Sequence, residues 1–398
     1  MLRILTRTPA MAVLSALVLG LAAADARAQD EHLEIAKRVL SSAPLFDGHN
    51  DLPWAIRNAD APRDVRAYDI SRPTPGHTDL ARLRAGGVGA QFWSVYVPAS
   101  VMEDGGGARM QLEQIDIARQ IISDHREDLG LALTAADVMD QFHRGKIASM
   151  LGMEGGHAIE NSLGALRAFY ALGVRYMTLT HSANLPWADS CCELPELGGL
   201  SAFGEEVVRE MNWLGMLVDI SHVSPGSMHD ALDVAEAPVI FSHSSARAVT
   251  DHPRNVPDDV LRRLPENGGA VMVTFVESFV NQDVTNYVGP PEGRPRATLA
   301  DVVAHIEHIR DVAGIDHVAI GGDFDGIDRG PVGLEDVSTY PALFAELSRR
   351  GWTESELRAL AADNLLRVMR AAEATARRLQ AERDPSMATI EELDGLVP

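Results

Sequence analysis

The sequence predicts an α/β fold, a single-domain (β/α)8 barrel, because short apolar segments alternate with segments of helical periodicity. Eight of the apolar segments have the length and the β-branched or aromatic content of strands. They are residues 43–47, 88–97, 147–153, 176–180, 216–220, 238–241, 270–275 and 318–321. No low-complexity linker divides the chain, and eight βα units favour a closed barrel with the helices outside. A doubly wound open sheet is the alternative.

The intervening helices carry start and stop signals. Residues that can cap a helix N-terminus precede four of them: Ser162, Ser224 before Pro225, Thr298 with Asp301, and Thr353 with Glu356. A glycine ends three of the predicted helices just before the next strand: Gly173, Gly215 and Gly314. Over residues 299–313 the apolar residues recur with a period of 3.6, as expected for an outer helix that packs on a barrel.

The first 28 residues are predicted to be a cleaved signal peptide. Arg3 and Arg7 precede an apolar stretch over residues 10–24, and Ala26-Arg27-Ala28 supplies small residues around a cleavage site. An uncleaved membrane anchor would need about 20 apolar residues, which is more than this stretch offers. The mature chain, residues 29–398, is therefore expected to be exported, periplasmic or secreted, without stable membrane insertion.

Charge and cysteine content exclude other classes of protein. The chain has 57 acidic and 35 basic residues, a formal net charge of −22, which argues against nucleic-acid binding. The two cysteines, Cys191 and Cys192, are adjacent in sequence, and a relaxed disulfide between neighbours is unfavourable. We expect the fold to depend on core burial, with a redox pair or metal clip at these cysteines as the alternative.

Metal-binding and ionisable residues follow six of the eight predicted strands. The carboxyl ends of barrel strands meet at one rim, where the βα loops build active sites. The residues concerned are His49 and Asp51 after the first strand, then Glu154, His181, His222, His243 and Asp323. Because residues two apart on an extended chain point to the same side, His49 and Asp51 can bind one ion.

Imidazole and carboxylate side chains together suit zinc. The set is too large for one ion, and a carboxylate such as Glu154 can bridge two ions about 3.5–4 Å apart. The sequence therefore predicts two Zn²⁺ per chain. His305 and His308 share the face of an outer helix and are interpreted as surface or packing residues, whereas Asp47, His157 and His252 are left as structural residues or as supports of the ligands.

The motifs at these positions resemble those of the membrane (renal) dipeptidase family, a branch of the amidohydrolase superfamily with a binuclear zinc site. The resemblance extends over residues 43–369 and rests on six motifs in order. They are DGHNDLPW at 47–54, QFWSVY at 91–96, EGGH at 154–157, FSHSS at 241–245, RNVPDDV at 254–260 and GGDFDG at 321–326.

This resemblance implies a role for each site residue. His49 and Asp51 would bind one zinc ion, His222 and His243 the other, and Glu154 would bridge them. His181 would contact the substrate carbonyl or oxyanion, and Arg254 would bind the free carboxylate. Asp323 would transfer protons, with Asp325, two residues further on, as the alternative.

The resulting hypothesis is that a bridging hydroxide attacks the peptide bond of a dipeptide. The resemblance adds dipeptides with a D-residue at the C-terminal position, dehydropeptides and carbapenem-like β-lactams as candidate substrates. Segments 59–77 and 191–197 follow the family least. Animal members contain disulfides, and because this chain lacks distributed cysteines, a homodimer remains possible but would not depend on such disulfides. The alternatives are an amidohydrolase for a non-peptide amide or lactone, and a non-catalytic exported protein that binds zinc or peptides.

Overall fold

Eight parallel strands close into a ring in the computed structural model, which describes residues 31–395. The described residues contain nine strands, all of which except β3 belong to the ring: β1 Leu45–Asn50, β2 Val88–Ser94, β3 Leu129–Leu131, β4 Ile147–Glu154, β5 Val174–Thr178, β6 Leu217–Asp219, β7 Ile240–Phe241, β8 Ala270–Val273 and β9 Val318–Ile320. Around the ring the order is β1, β2, β4, β5, β6, β7, β8 and β9, and β9 pairs with β1. The closed barrel predicted from the sequence is confirmed, and the open sheet is excluded.

The strand β3 lies outside the ring and was not predicted. It pairs with residues 147–149 of β4, whereas β5 pairs with residues 151–154 of the same strand. Three residues are too few for a period-two pattern, so no sequence signal separates β3 from a loop. The eight predicted strands are all present, and their ends differ from the predicted ones by no more than three residues; β7, for example, keeps only Ile240 and Phe241 of residues 238–241.

Helices cover the outside of the barrel. The longer ones are residues 31–42, Gly107–Asp124, Ala135–His143, Leu163–Ala171, Ala202–Leu214, Pro225–Val234, Leu299–Ala313, Tyr340–Arg349 and Asn364–Glu382. Short helices occupy the loops: Leu52–Arg57, Val65–Tyr68, Leu80–Ala85, Val101–Asp104, Asp258–Leu261, Leu264–Asn267, Glu277–Val280, Gln282–Thr285, Glu354–Arg358 and Ile390–Asp394. Single turns of 3-10 helix lie at Gly156–Ile159, Pro291–Gly293, Ile315–His317 and Val337–Thr339, and a π-helical turn lies at Ala359–Asp363.

The predicted helix ends are confirmed. Ser162 and Ser224 accept hydrogen bonds from main-chain amides of the first turn, and Thr298 and Thr353 form reciprocal capping boxes with Asp301 and Glu356. The three predicted stop glycines all have positive φ, which residues with a side chain rarely adopt.

One hydrophobic core fills the barrel and the space beneath its helices. Inside the barrel, the Phe92 ring lies 5.3 Å from Phe46 and 4.8 Å from Tyr176. Gly152 makes room for Tyr176, since a Cβ at Gly152 would lie 2.0 Å from the Tyr176 ring. The missing side chain lets Tyr176 cross the interior towards β1, which matters for the site below.

Among residues 31–395, no helix has both the length and the apolar character needed to cross a bilayer. The predicted signal peptide, residues 1–28, lies outside the described residues.

Candidate metal centre

His49 and Asp51 lie at the carboxyl end of β1. The His49 ring is buried, with Nε2 3.1 Å from Asp51 Oδ2 and Nδ1 2.8 Å from the Tyr176 hydroxyl. Main-chain hydrogen bonds tie this segment to the one after β9: Asp323 N donates to His49 O, and Asp51 N donates to Phe324 O. Two distant parts of the sequence are thereby held at one rim.

Glu154, the last residue of β4, lies between two groups of imidazoles. Its Oε2 is 3.6 Å from His49 Nε2. Its Oε1 is 3.1 Å from His222 Nε2 and 3.3 Å from His243 Nε2. One carboxylate therefore contacts both predicted ligand groups, as a bridging ligand must.

His222 and His243 follow β6 and β7 and point their Nε2 atoms at the same place. These two nitrogens are 2.9 Å apart. Burial, followed by the nearby positive groups, holds the pKa of each well below the usual value, so both rings are neutral, as metal ligands must be. His222 has a φ of 64°, a strained value for a residue other than glycine, and strain of this kind is common at functional sites.

His181 lies beside this pair, at the wall of the cavity. Its Nε2 is 3.8 Å from Glu154 Oε1, and its ring is 4.3 Å from the His222 ring and 4.8 Å from the Tyr96 ring. Burial and the positive charge of Arg254 lower the pKa of His181 to about 3. A neutral imidazole there can donate a hydrogen bond without carrying a charge.

Asp323, and not Asp325, faces the cavity. Asp323 Oδ1 lies 4.0 Å from His49 Nε2, and burial raises the pKa of this carboxyl to about 7. Gly326 permits this arrangement, because a Cβ there would lie 2.5 Å from Asp323 Oδ1 and 2.3 Å from Asp51 Oδ2. Asp325 instead accepts a hydrogen bond from the His77 main chain, 2.6 Å away, and anchors that loop.

Arg254 brings a buried positive charge to the same cavity. Its Nη1 donates to Ser244 Oγ at 3.3 Å, and Phe279 packs 5.3 Å from the guanidinium. No acidic side chain forms an ion pair with Arg254 among the residues that the structure describes, and its Nε is buried without a partner. A buried guanidinium in this state suits an anionic group of a ligand.

Seven of the eight predicted site residues, all except His49, line a cavity of about 360 Å³ at the rim of the barrel. The part of its wall that the site prediction missed is mainly apolar and consists of Trp54, Tyr96, Val276, Phe279 and Ile327. Trp54 and Tyr96 lie within the motifs quoted above. Val276 and Ile327 lie in loops after β8 and β9, and Phe279 lies in the short helix Glu277–Val280 after β8. Nothing in a periodic pattern separates such loop residues from ordinary surface residues.

The electrostatics of the cavity favour bound cations. Burial raises the pKa of Glu154 to about 8, and Asp51 and Asp323 add to this effect. Burial alone would lower the pKa of His49, but Asp51 and Glu154 outweigh it and raise the pKa to about 10. Asp51 Oδ1 and His222 Nδ1 are buried without a hydrogen-bond partner among the described residues. The three carboxylates thus outnumber the one protonated imidazole, His49, that lies among them, and the N and O donor set fits divalent zinc.

Three overlapping groups of donor atoms could each hold an ion. They are His49 with Glu154 and His243, Glu154 with His181 and His222, and His49 with Asp51 and Asp323. All seven side chains predicted for the metal site and its catalytic neighbours appear in these groups. Arg254, the eighth predicted residue, lines the same cavity.

The residues that the sequence analysis interpreted as structural or as supports of the ligands have such positions in the structure. Asp47 accepts hydrogen bonds from the main chain of His49 and Gly322 and from the Tyr340 hydroxyl. His157 is 2.9 Å from Val97 O through Nε2, and the His252 ring lies 4.4 Å from Phe279. His305 is a packing residue, fully buried beneath the outer helix.

Comparison with known proteins identifies the family. The sequence profile of the membrane dipeptidase family (Peptidase family M19) matches residues 33–383. The chain is 45% identical to Dipeptidase 3 of Rattus norvegicus over 347 residues, which cover 85% of this chain and 67% of that protein.

Solved structures agree with this fold. One is a metallo peptidase from Rhodobacter sphaeroides liganded with a phosphinate mimic of the dipeptide L-Ala-D-Ala. It has a TM-score of 0.71 at 28% identity, covering 83% of this chain and 99% of that one. The probable dipeptidase PvdM from Pseudomonas aeruginosa has a TM-score of 0.76 at 23% identity, covering 87% of this chain and 100% of that one, and this likeness concerns the fold alone. The profile match over most of the chain, together with the close rat relative, shows that this chain belongs to the membrane dipeptidase family, peptidase family M19.

Proposed function

We propose that this chain is an exported dipeptidase that binds two zinc ions and hydrolyses the peptide bond of free dipeptides. The observation that carries the proposal is the position of Glu154, whose two carboxylate oxygens face separate ligand groups. Oε1 faces His222 and His243, and Oε2 faces His49. With Asp51 beside His49, this arrangement supports a site in which His49 and Asp51 would hold one ion, His222 and His243 would hold the other, and Glu154 would contact both.

Two bound divalent cations would polarise the substrate carbonyl and bring the pKa of the attacking water close to neutrality. The side chains of the protein supply the remaining functions. His181, neutral and at the cavity wall, donates a hydrogen bond from Nε2 to the oxygen on which negative charge develops. Its position between the Tyr96 and His222 rings fixes the direction of that donor.

Arg254 holds the free carboxylate of the dipeptide. The guanidinium offers paired donors to a carboxylate, and its anchoring by the Ser244 side chain and the His243 main chain limits its movement. The fixed distance from this anchor to the cations restricts how many residues fit between carboxylate and scissile bond. Longer peptides are therefore expected to be poor substrates.

Asp323 transfers the proton. Its Oδ1 lies 4.0 Å from His49 Nε2, beside the ligand set, where a carboxylate can take a proton from the attacking water and release it to the leaving group. The attacking water gives its oxygen to the carbonyl carbon and one proton to Asp323 Oδ1. Asp323 then delivers that proton to the leaving nitrogen as the C–N bond breaks, which produces two amino acids.

The substrate class is proposed to include dipeptides with a D-residue at the C-terminal position, with dehydropeptides and carbapenem-like β-lactams as further candidates. The phosphinate mimic of L-Ala-D-Ala bound by the Rhodobacter sphaeroides enzyme supports the D-residue. The apolar wall formed by Val276, Phe279 and Ile327 gives room for a small side chain near Arg254.

The proposal is tested on the mature protein, stripped of metal and then reloaded with zinc. Its substrates are L-Ala-L-Ala, L-Ala-D-Ala, the corresponding tripeptide and the dipeptide with an amidated carboxyl group. We expect turnover of free dipeptides only after zinc is restored, with about two zinc ions per chain by elemental analysis.

Other outcomes select other functions. Equal rates with and without chelator would overturn the metal mechanism. Activity on a lactone or non-peptide amide, with no activity on dipeptides, would select the broader amidohydrolase reading. Tight binding of zinc and dipeptide without turnover would select a binding protein.

A further inference from the structure

A buried carboxylate, Asp219, lies beneath the candidate metal centre and is not part of it. Asp219 ends β6, is fully buried, and accepts four hydrogen bonds. Oδ1 accepts from the main-chain amides of Ser221, at 3.0 Å, and Ser242, at 2.8 Å. Oδ2 accepts from the hydroxyls of Thr178 and Ser242, each at 2.5 Å. Four donors around one carboxyl group suit its ionised, acceptor-only form, and none of the four is basic.

The hydroxyl of Ser242 has a second contact, with a candidate metal ligand. Its Oγ lies 2.8 Å from His243 Nδ1. A serine hydroxyl has one proton, and this one is directed to the Asp219 carboxylate. Ser242 Oγ must therefore accept the hydrogen bond, and the donor is the Nδ1–H group of His243.

This direction of hydrogen bonding sets the tautomer of His243. A neutral imidazole has one proton, so protonation at Nδ1 leaves Nε2 with a free lone pair. That lone pair points towards Glu154 Oε1, 3.3 Å away. The other ligands lack this arrangement: His222 Nδ1 is buried without a partner among the described residues, and His49 Nδ1 meets the phenol of Tyr176.

We propose that Asp219, acting through Ser242, is a positioning residue that holds His243 in the Nδ1-protonated tautomer and keeps Nε2 available for a divalent cation. The cation part rests on the proposed function, whereas the tautomer is a property of the protein itself. A carboxylate that fixes the tautomer of an imidazole ligand is a known way to raise metal affinity. In this chain a serine hydroxyl stands between the two.

The substitution Asp219→Asn tests the proposal because it reverses the direction of the hydrogen bonds that connect residue 219, Ser242 and His243. The asparagine oxygen can still accept from the two main-chain amides, and its NH₂ group then donates to Ser242 Oγ. Ser242 would donate to His243 Nδ1 in turn, which moves the ring proton to Nε2. A similar exchange beside a catalytic histidine lowers turnover about 10,000-fold through the wrong tautomer.

The primary measurement is ¹⁵N NMR of histidine-labelled, metal-free protein, with His243 assigned by its absence in His243→Gln. We expect Nδ1–H in the wild type and Nε2–H in Asp219→Asn. The second measurement is zinc affinity by competition with a chromophoric chelator, which should weaken about 10- to 100-fold in the variant.

Thr178→Val is the matched control. It also removes one hydroxyl donor from Asp219 Oδ2, but among the described residues Thr178 forms no hydrogen bond with His243. We expect this variant to lose stability while retaining the wild-type tautomer and zinc affinity. If Asp219→Asn does not fold, Ser242→Ala should give mixed tautomers, and Ser242→Thr, which restores the hydroxyl, should return Nδ1–H.

Two results would overturn the proposal: Nδ1–H retained in Asp219→Asn, or zinc affinity lost equally in Thr178→Val. Failure of the proposed function has a different signature. In that case the wild-type protein binds no zinc and hydrolyses no dipeptide, while the tautomer still changes between wild type and Asp219→Asn.

Discussion

The guanidinium of Arg254 donates a hydrogen bond from Nη2 to the main-chain carbonyl of His243, over 3.1 Å. A candidate substrate anchor and a candidate metal ligand are thus held by the same segment after β7. The hydrogen bond fixes the guanidinium relative to the main chain that carries His243. This relationship explains how one cavity could select for chain length, and it leads to the first prediction.

Arg254→Met should lower kcat/KM for free dipeptides, mainly through KM. Removing a charged hydrogen-bonding partner of a carboxylate costs roughly 1.5–3 kcal/mol, or about 10- to 100-fold. The dipeptide with an amidated carboxyl group lacks the charge that Arg254 binds, so its low kcat/KM should change little. Steady-state kinetics on the two substrates measure the difference, and equal losses on both would assign Arg254 a structural role.

Removal of metal should lower thermal stability as well as activity. A cation that binds only the folded chain raises the free energy of unfolding by about 4 kcal/mol when its concentration is 1,000-fold above Kd. The carboxylates Asp51, Glu154 and Asp323 cluster around the single imidazole of His49, and this excess of acidic groups makes the cavity the place where the stabilisation arises. Differential scanning fluorimetry should show Tm rising with added zinc.

Glu154→Gln is the control for this effect, because it removes the charge between the two ligand groups and nearly keeps the shape. We expect it to lose most of the zinc-dependent rise in Tm. A full rise in this variant would show that zinc binds elsewhere.

The closed barrel and the meeting of the candidate ligands at one rim could both be predicted from the sequence because both follow from local patterns. Alternating strand and helix signals give the barrel, and strand ends in a barrel must meet. His49 and Asp51 show the same logic at short range, since residues two apart on a strand share a side.

Other features depend on packing between distant segments and were not predictable in this way. Tyr176 reaches His49 only because Gly152, on the neighbouring strand, has no side chain. Phe279 lies in the helix Glu277–Val280, which is too short for a periodic pattern. Asp219 looks like any acidic residue after a short strand until Thr178 and Ser242 are placed around it.

Asp323→Asn should lower kcat by about 100- to 10,000-fold, the usual range for losing a group that transfers protons. Because the side chain remains polar and nearly the same size, KM and zinc content should change little. Kinetics with elemental analysis of the same preparation separate the two effects. Loss of zinc in proportion to activity would make Asp323 a ligand rather than a proton carrier.

Asp325→Asn is the matched control for Asp323→Asn, since Asp325 accepts a hydrogen bond from the His77 main chain and does not line the cavity. We expect wild-type kcat from the folded fraction and a free energy of unfolding lower by roughly 1–3 kcal/mol. The reverse pattern, with kcat lost at Asp325 and kept at Asp323, would exchange their roles.

His305 should make the protein less stable in acid. Its ring is fully buried, Nδ1 accepts from Ala246 N at 3.0 Å, and burial lowers the pKa to about 4 from an ordinary 6.5. A histidine with a depressed folded-state pKa takes up its proton more readily in the unfolded chain. The free energy of unfolding therefore falls as pH drops below about 6.5, and this contribution levels off below about 4. Between these two pH values, His305 lowers the free energy of unfolding by about 3 kcal/mol.

His305→Gln, which cannot titrate, should be less stable than wild type at pH 7. The difference in free energy of unfolding between the two proteins should narrow towards pH 4 in urea unfolding experiments. A gap that stays constant between those two pH values would show that His305 does not limit stability in acid.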